Sequence, residues 1–260
     1  MKVTVCQLDP RPGKVDDFLE RLTVHMRAEG SEFLLLPEMG FSDWLAVSKP
    51  GPDAEARWAE AVASHERYIS DLETLGAKAI IGARPILTET GSRRNEAYLW
   101  TEAAPHPAGF HQKYYLPDED EYYEASWYER GEKRFDTVRA IGARFGVQIC
   151  TELWFFEWSR QYARYGVDVL CVPRATPHGN VDKWVAGGQA AAVCSGAYCL
   201  SSKLWAPVGS GANLGGGGWI IDPDGGVLAR TDEDAPFASV EIDLELARGS
   251  KATYPRYVEE

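Results

Sequence analysis

The sequence lacks long apolar runs. Nowhere in its 260 residues is there a stretch of the roughly 18 consecutive apolar residues that a membrane-spanning helix needs. The first residues, MKVTVCQLDP, also lack the apolar segment of a secretory signal peptide. We therefore expect a cytoplasmic protein that makes no contact with a membrane.

Positive charge is scarce as well. Lys and Arg number 27 against 39 Asp and Glu, which gives a formal net charge of −12. Proteins that bind nucleic acid or anionic lipid need clustered Lys and Arg, because their contacts are to phosphate groups. This charge argues against a general nucleic-acid-binding protein and against docking on an anionic membrane.

Paired cysteines are absent from the sequence pattern. The five cysteines are an odd number, none of them forms a Cys-x-x-Cys pair, and no His/Cys spacing of the zinc type occurs. We expect neither a disulfide framework nor a metal site, and a reducing compartment fits best. At least one thiol is then available for chemistry. The cysteines are Cys6, Cys150, Cys171, Cys194 and Cys199.

Length and composition are those of a globular protein, with 45% hydrophobic and 25% charged residues. At about 150 residues per domain the chain has room for one to two domains. No repeat, long linker or low-complexity segment interrupts it. We expect a single domain over residues 1–260.

Strand-like and helix-like patterns alternate along the chain, which predicts a layered α/β fold. Residues 33–36 form a continuous apolar run, which is typical of a strand buried on both faces. Further strands are predicted at residues 2–8, 77–83, 96–100, 109–113, 168–173, 198–202, 218–221, 227–229 and 238–242. Helices are predicted at 15–27, 53–75 and 182–195, and a Pro-containing turn at 104–108.

The glycine run at residues 215–218 has the look of a phosphate-binding loop. It lacks the Lys-Ser/Thr that follows in such loops, and a predicted strand follows it rather than a helix. We predict a tightly packed or flexible approach into a strand.

Three reactive side chains follow predicted buried strands: Glu38 in FLLLPEMGF, Lys113 in FHQKYYLP and Cys150 in GVQICTELWF. A carboxylate beside a thiol can take its proton, and an ammonium can stabilise the thiolate and an oxyanion. Together they suit acyl transfer through a thioester. Taken singly, such residues are more often a loop carboxylate, a surface Lys and a core Cys.

The three segments resemble, in order, the signature blocks of the nitrilase superfamily of carbon–nitrogen hydrolases, and the resemblance covers nearly the whole chain. It implies an α/β fold of the four-layer αββα sandwich type and a homodimer or larger homo-oligomer. It also implies Glu38 as base, Lys113 as oxyanion stabiliser and Cys150 as nucleophile. The backbone N–H of Thr151 is then the second oxyanion donor.

The resemblance also implies a second carboxylate shortly after the Lys block. Glu124 is the best candidate because the segment Glu124–Gly131 resembles the family's turn at this point. Glu119 and Glu121 lie nearer to Lys113 and stay open as alternatives. The acidic run at residues 118–121 is itself typical of a solvated loop.

The resemblance implies substrate contacts from the segment after the strand that follows Cys150. Arg174 either clamps a substrate carboxylate or pairs with one of the local acids. Tyr114, Trp154 and Trp184 could form an apolar wall, although most aromatic residues are simply core. His178 is a single loop histidine, for which a ligand or proton-shuttle role is the minority interpretation.

The resulting prediction is a thiol-dependent amidohydrolase that cleaves a small amide or N-carbamoyl compound and releases ammonia or an amine. It needs neither a metal nor an organic cofactor. Three alternatives stay open: hydrolysis of a nitrile, acyl transfer to an amine, and a non-enzymatic scaffold that binds a partner. Within the resemblance, the Glu two residues after Cys150 is closer to the nitrilase branch, whereas the chain stops soon after its last predicted strand and true nitrilases usually have a longer C-terminus.

Overall fold

The structure, a computed structural model, describes residues 1–258. Its strands are β1 (Lys2–Leu8), β2 (Phe33–Glu38), β3 (Ala79–Leu87), β4 (Arg93–Thr101), β5 (Ala104–Gln112), β6 (Thr137–Ala140), β7 (Ala143–Val147), β8 (Val169–Arg174), β9 (Tyr198–Leu204), β10 (Trp219–Ile221), β11 (Val227–Arg230) and β12 (Phe237–Glu241). The helices are α1 (Val15–Glu29), α2 (Ala54–Ser70), α3 (Glu124–Trp127), α4 (Phe156–Arg164), α5 (Val181–Ser195) and α6 (Leu244–Ser250). Short 3₁₀ turns cover Leu45–Val47, Leu72–Leu75, Cys150–Trp154 and His178–Asn180.

Strand β1 joins two halves of a 12-stranded sheet whose main order is β5-β4-β3-β2-β1-β9-β8-β7-β6. Its first part pairs in parallel with β2, from Val3 opposite Phe33 onward. Its last two residues pair instead with β9, with Gln7 opposite Lys203. The two halves fold over each other, since β2 also contacts β8 and β9.

The apolar run in β2 is buried on both faces, as its sequence predicts. Phe33 and Leu35 belong to the cluster between the two halves, where the Phe33 ring stacks on Phe145 at a centroid distance of 4.7 Å. Leu34 and Leu36 point the other way, into the cluster formed with α1 and α2. Successive side chains of a strand face opposite sides, so a continuous apolar run fits a strand between two layers.

Helices cover the outer face of each half. Helix α1 packs on β1 and α2 on β3, while α5 packs on β9 and β10 and α4 packs on α5. The result is the expected four-layer α-β-β-α arrangement, and the predicted fold class is confirmed. No helix within residues 1–258 is both long and apolar enough to cross a bilayer.

The predicted turn at residues 104–108 is wrong, because β5 already begins at Ala104 and runs through two prolines. β5 is an outermost strand of the sheet, and a proline is tolerated there because the side of the strand without a neighbour needs no backbone N–H donor. The predicted helix at 53–75 is shorter, since α2 ends at Ser70 and a 3₁₀ turn follows. Helix α6 was not predicted.

The glycine run is a tightly packed approach to β10. A Cβ atom on Gly216 would lie 2.2 Å from Cδ of Gln7, and one on Gly218 would lie 2.5 Å from the carbonyl oxygen of Ser201. The backbone of residues 216 and 218 lies so close to β1 and β9 that only glycine fits at these two positions. The interpretation as a packed approach, rather than a phosphate loop, is confirmed.

Gly188 on α5 offers a test of how closely the helix layer packs on the sheet. A Cβ atom there would lie 2.8 Å from the ring of Trp219, whose side chain is fully buried. Gly188→Ala should lower the free energy of unfolding by about 1–3 kcal/mol, since overpacking outweighs the better helix propensity of Ala. Urea unfolding measures this. Gly249→Ala in α6 is the control, because no atom lies within 4 Å of its Cβ position; equal stability of the two variants would contradict the prediction.

Candidate active site

The fold brings Glu38, Lys113 and Cys150 into one buried site. Glu38 is the last residue of β2, Lys113 directly follows β5, and Cys150 begins the 3₁₀ turn that follows β7. The Nζ atom of Lys113 donates to Oε1 of Glu38 at 2.7 Å. The side chains of Glu38 and Lys113 are fully buried, and Cys150 is 2% exposed.

Glu124 is the second carboxylate on Lys113. As the first residue of α3, it accepts a hydrogen bond from Nζ of Lys113 through Oε2 at 2.5 Å. Glu119 is exposed, and Glu121 accepts instead from Nδ2 of Asn213 at 3.2 Å. Of the three candidates, geometry brings only Glu124 to the lysine.

Asn95 and Tyr128 close these groups into a ring of hydrogen bonds. Nδ2 of Asn95 donates to Oε1 of Glu38 at 2.8 Å and to the hydroxyl of Tyr128 at 3.3 Å. The Tyr128 hydroxyl in turn donates to Oε2 of Glu124. Sequence reasoning missed Tyr128, although its place four residues after Glu124 puts both on one face of a helical turn.

Burial and the two carboxylates set the charges of the site. Burial by itself would lower the pKa of Lys113, but Glu124 and Glu38 raise it above its usual range. Burial raises the pKa of Glu124 to about 7, and the charge of Glu38 adds to this while Lys113 opposes it. Burial, followed by the charge of Glu38, also raises the pKa of the Cys150 thiol well above its usual range. Lys113 is therefore charged, and the resting thiol holds its proton.

Two carboxylate oxygens in this site have no hydrogen-bond partner in the part of the chain that the structure describes: Oε2 of Glu38 and Oε1 of Glu124. Buried polar atoms normally have a hydrogen-bond partner, so two buried carboxylate oxygens without one call for a functional explanation. Each oxygen can take up a proton or accept a hydrogen bond from a bound molecule.

The turn that carries Cys150 is held from several sides. Cys150 itself has φ +50°, a left-handed conformation that side-chain-bearing residues rarely adopt. Its Sγ atom donates to the carbonyl oxygen of Ala175 at 3.4 Å. The buried carboxylate of Glu152 accepts from the backbone N–H groups of Ile149 and Tyr114, both at 2.8 Å. Glu152 thus ties the nucleophile turn to the segment that carries the lysine.

His111 completes the support of Glu152. Its Nε2 atom lies 2.7 Å from Oε2 of Glu152, and both side chains are fully buried. Burial by itself would lower the pKa of His111, but the Glu152 carboxylate raises it above its usual value. The pair holds the Glu152 carboxylate in place.

The predicted aromatic wall is not continuous. The rings of Trp154 and Trp184 lie 4.8 Å apart. Tyr114 instead packs edge-on against Tyr115 at 5.0 Å, with Lys133 5.7 Å from its ring centroid. A contact of these aromatic residues with substrate stays a prediction. The remaining predicted donor, Thr151, is half-buried in the 3₁₀ turn beside Cys150.

Arg174 is fully buried and hydrogen-bonded to neutral groups. Its Nε atom donates to Oγ of Ser201 and Nη2 donates to the carbonyl of Gly217, both at 2.7 Å. The guanidinium carbon lies 3.9 Å above the Trp219 ring. Within residues 1–258 no carboxylate forms an ion pair with Arg174. The proposed pairing with a local acid is therefore not observed.

His178 is also used locally. Its Nε2 atom bonds with the carbonyl oxygen of Ala206 at 2.9 Å, and its backbone N–H donates to Oδ1 of Asn213 at 3.3 Å. In the described part of the chain no group of three or more His, Cys, Asp or Glu side chains is arranged to hold a metal ion.

The raised pKa of Glu124 predicts a pH-dependent cost to stability. The pKa is about 7 in the folded protein against an ordinary 4.5, so between these values only the folded state holds the proton. Stability should therefore fall as the pH rises through this range. Glu124→Gln is neutral throughout, so its stability relative to wild type should rise by about 2–3 kcal/mol between pH 5 and pH 8.

Thermal unfolding at the two pH values measures this difference. Glu102→Gln is the control, because Glu102 is exposed. The same stability difference at both pH values for Glu124→Gln would contradict the prediction.

Comparison with known proteins agrees with this geometry. The family model described as carbon-nitrogen hydrolase matches residues 2–252. A hydrolase in the pqqF 5′ region of Pseudomonas protegens is 28% identical over 177 residues, which cover 67% of this chain and 59% of that relative. A deaminated glutathione amidase of Synechocystis is 29% identical over 177 residues, covering 66% and 65%. The matches thus span about three-fifths of the length of these curated relatives.

Solved structures share the fold. A carbon-nitrogen hydrolase of Helicobacter pylori G27 superposes with a TM-score of 0.80 at 18% identity, covering 99% of this chain and 94% of its own. An amidase of Nesterenkonia gives 0.78 at 21% identity, covering 95% and 92%. At these identities the likeness speaks for the fold alone. The match of the family model over nearly the whole chain shows more: this protein belongs to the carbon-nitrogen hydrolase family.

Proposed function

We propose that the protein hydrolyses a non-peptide C–N bond in a small amide or N-carbamoyl compound through a thioester on Cys150. The observation that carries this is the buried Lys113–Glu38 ion pair near a buried thiol, with one Glu38 oxygen unpaired. A base, a fixed positive charge and a nucleophile are the groups that thiol-dependent acyl transfer needs. Relatives named as amidases and as an N-carbamoylputrescine amidase support the same reaction class.

In the acylation step, Glu38 takes the proton of the Cys150 thiol as Sγ attacks the substrate carbonyl. Because burial and Glu38 keep the thiol protonated at rest, thiolate forms only as the bond to carbon forms. Lys113 Nζ and the N–H of Thr151 stabilise the oxyanion. The C–N bond then breaks, and the nitrogen takes the proton held by Glu38 and leaves as ammonia or an amine, which returns Glu38 to its carboxylate form.

In the deacylation step, Glu38 takes a proton from water, whose oxygen attacks the thioester carbonyl. The C–S bond breaks, the carboxylic acid is released, and the thiol recovers its proton. With a pKa of about 7, Glu124 carries a proton in part of the molecules at neutral pH. In its ionised form it can orient Lys113; in its protonated form it can give its proton to the leaving nitrogen and regain one from Glu38.

We also propose that the chain works in the cytoplasm as a homo-oligomer. All five cysteines are free thiols, which supports a reducing compartment. Two large side chains near the end of the described chain, Tyr254 and Tyr257, are 75% and 61% exposed, which supports a further contact surface. Light scattering should give a multiple of the 28.8 kDa chain mass, and a monomer at micromolar concentration would contradict the proposal.

Ammonia release from a panel of compounds tests the proposed reaction. The panel holds ω-amides of dicarboxylic acids, N-carbamoyl amines, simple aliphatic amides and nitriles. One amide or carbamoyl class should release ammonia, and Cys150→Ala should reduce the rate by at least about 10³-fold, because the nucleophile is lost. Cys194→Ala is the matched control, since that thiol lies half-buried in α5.

Other outcomes would overturn the proposal. Ammonia and acid from a nitrile, with the matching amide untouched, would make the protein a nitrilase. Amide products that form only when an amine is added would make it an acyltransferase. Silence across the panel, together with a Cys150 that resists iodoacetamide, would favour a binding scaffold.

A further inference from the structure

Arg174 and Lys203 form a pair of buried cations. The two residues lie directly opposite each other on the neighbouring strands β8 and β9, so their side chains leave the same face of the sheet. Both residues have 0% exposure. A pair of basic side chains in the protein interior is rare unless anions accompany it.

No carboxylate accompanies this pair in residues 1–258. The Nζ atom of Lys203 donates to the carbonyl oxygen of Gly216 at 3.2 Å, and Arg174 donates to Ser201, Thr176 and Gly217. An ammonium has three N–H donors, so two on Lys203 have no acceptor. Burying like charges without a counter-ion costs several kcal/mol, which an arriving anion would relieve.

The titration of the pair is consistent with a missing anion. Burial and, to a lesser extent, the neighbouring charge of Arg174 lower the pKa of Lys203 to about 6. Burial likewise lowers the pKa of Arg174 to about 9. The one negative charge that raises both is a thiolate on Cys150. A bound anion would act in the same direction, raise the pKa of Lys203 and so favour its charged form.

The end of β8 connects the pair to the nucleophile. Cys150 Sγ bonds to the carbonyl of Ala175, the residue directly after Arg174. In the loop that follows β9, at residues 205–218, the carbonyl of Asn213 accepts from the hydroxyl of Tyr122 at 2.7 Å, and burial and the charge of Cys150 raise the pKa of that hydroxyl.

The glycines that follow in the same loop contact Lys203 and Arg174. Gly216 and Gly217 turn their carbonyl oxygens to Lys203 and Arg174, and the N–H of Gly217 donates to Oε1 of Gln7 at 2.9 Å. Backbone of the glycine run therefore contacts the two basic side chains, and a Cβ atom on Gly216 would collide with Gln7 of β1. Residues 213–217 thus contact both a tyrosine within electrostatic reach of Cys150 and the two basic side chains.

We propose that Lys203, backed by Arg174, is the subsite for a carboxylate at the far end of the substrate's acyl chain. The inference rests on the proposed function and names its substrate class: monoamides of short dicarboxylic acids or their N-carbamoyl counterparts. Lys203 determines specificity, because its free N–H donors receive the anion. Arg174 holds the position through its contacts with Ser201, Gly217 and Trp219.

Glutaramate and glutaramide test the subsite because they have the same shape and differ only in the charge of the far end. Wild type should prefer glutaramate in kcat/KM by about tenfold or more, as expected for a hydrogen bond between charged groups. Succinamate and succinamide repeat the comparison one methylene shorter. Lys203→Met should lose this preference through KM for the monoamide and leave the diamide within about threefold. Lys203→Arg should keep the preference.

Lys14→Met is the control, because Lys14 lies exposed at the start of α1. Equal losses for the charged and the neutral amide in Lys203→Met would overturn the proposal, and so would a wild-type preference for the diamide. Lys203→Gln gives the same comparison if the Met variant does not fold.

Calorimetry with glutarate gives a readout independent of turnover. Glutarate should bind to Cys150→Ala and should not bind to the double variant with Lys203→Met. If amides are hydrolysed without charge preference and glutarate does not bind, the subsite is wrong and the proposed function stands. If glutarate binds through Lys203 but no amide releases ammonia, the proposed function fails and the subsite stands.

Discussion

The ammonium of Lys113, buried between the carboxylates of Glu38 and Glu124, is the interaction on which the site depends. One positive and two negative groups in a dry interior are stable only when each is held by hydrogen bonds, since removing one partner leaves an uncompensated charge. Asn95 and Tyr128 supply those bonds and close the ring. The ring leaves one oxygen of each carboxylate free for chemistry.

The structure accepts backbone strain at the same place. Cys150 and Met39, the residue after Glu38, both have positive φ, and Glu152 clamps the Cys150 turn to the lysine segment. Such conformations persist only where the surroundings determine them fully. Buried charge and strained turns reduce stability, which is the cost that active sites commonly carry.

The two buried lysines of the fold differ in their surroundings. Lys113 meets two carboxylates, and its pKa is raised. Lys203 meets Arg174 and a backbone carbonyl, and its pKa is lowered. Within the described chain Lys113 donates to two carboxylates, whereas Lys203 donates only to one backbone carbonyl. The difference separates the group that performs the reaction from the group that we propose to select the substrate.

Most of the strands, the layered α/β class and the candidates Glu38, Lys113 and Cys150 could be predicted from the sequence. Apolar runs and the residues that follow them are local patterns, which are visible in the sequence without knowledge of the fold. The sequence did not determine the course of β5 through two prolines, because only a place at the sheet edge makes those prolines tolerable. Only the three-dimensional structure shows that Glu124, of the three candidate acids, binds Lys113, and that Tyr128 and Asn95 complete the hydrogen-bond ring. It also shows that Arg174 and Lys203 lie opposite each other with no ion-paired carboxylate in residues 1–258. Those contacts join segments far apart in the chain, and their partners are set by sheet register and burial, which no short stretch of sequence contains.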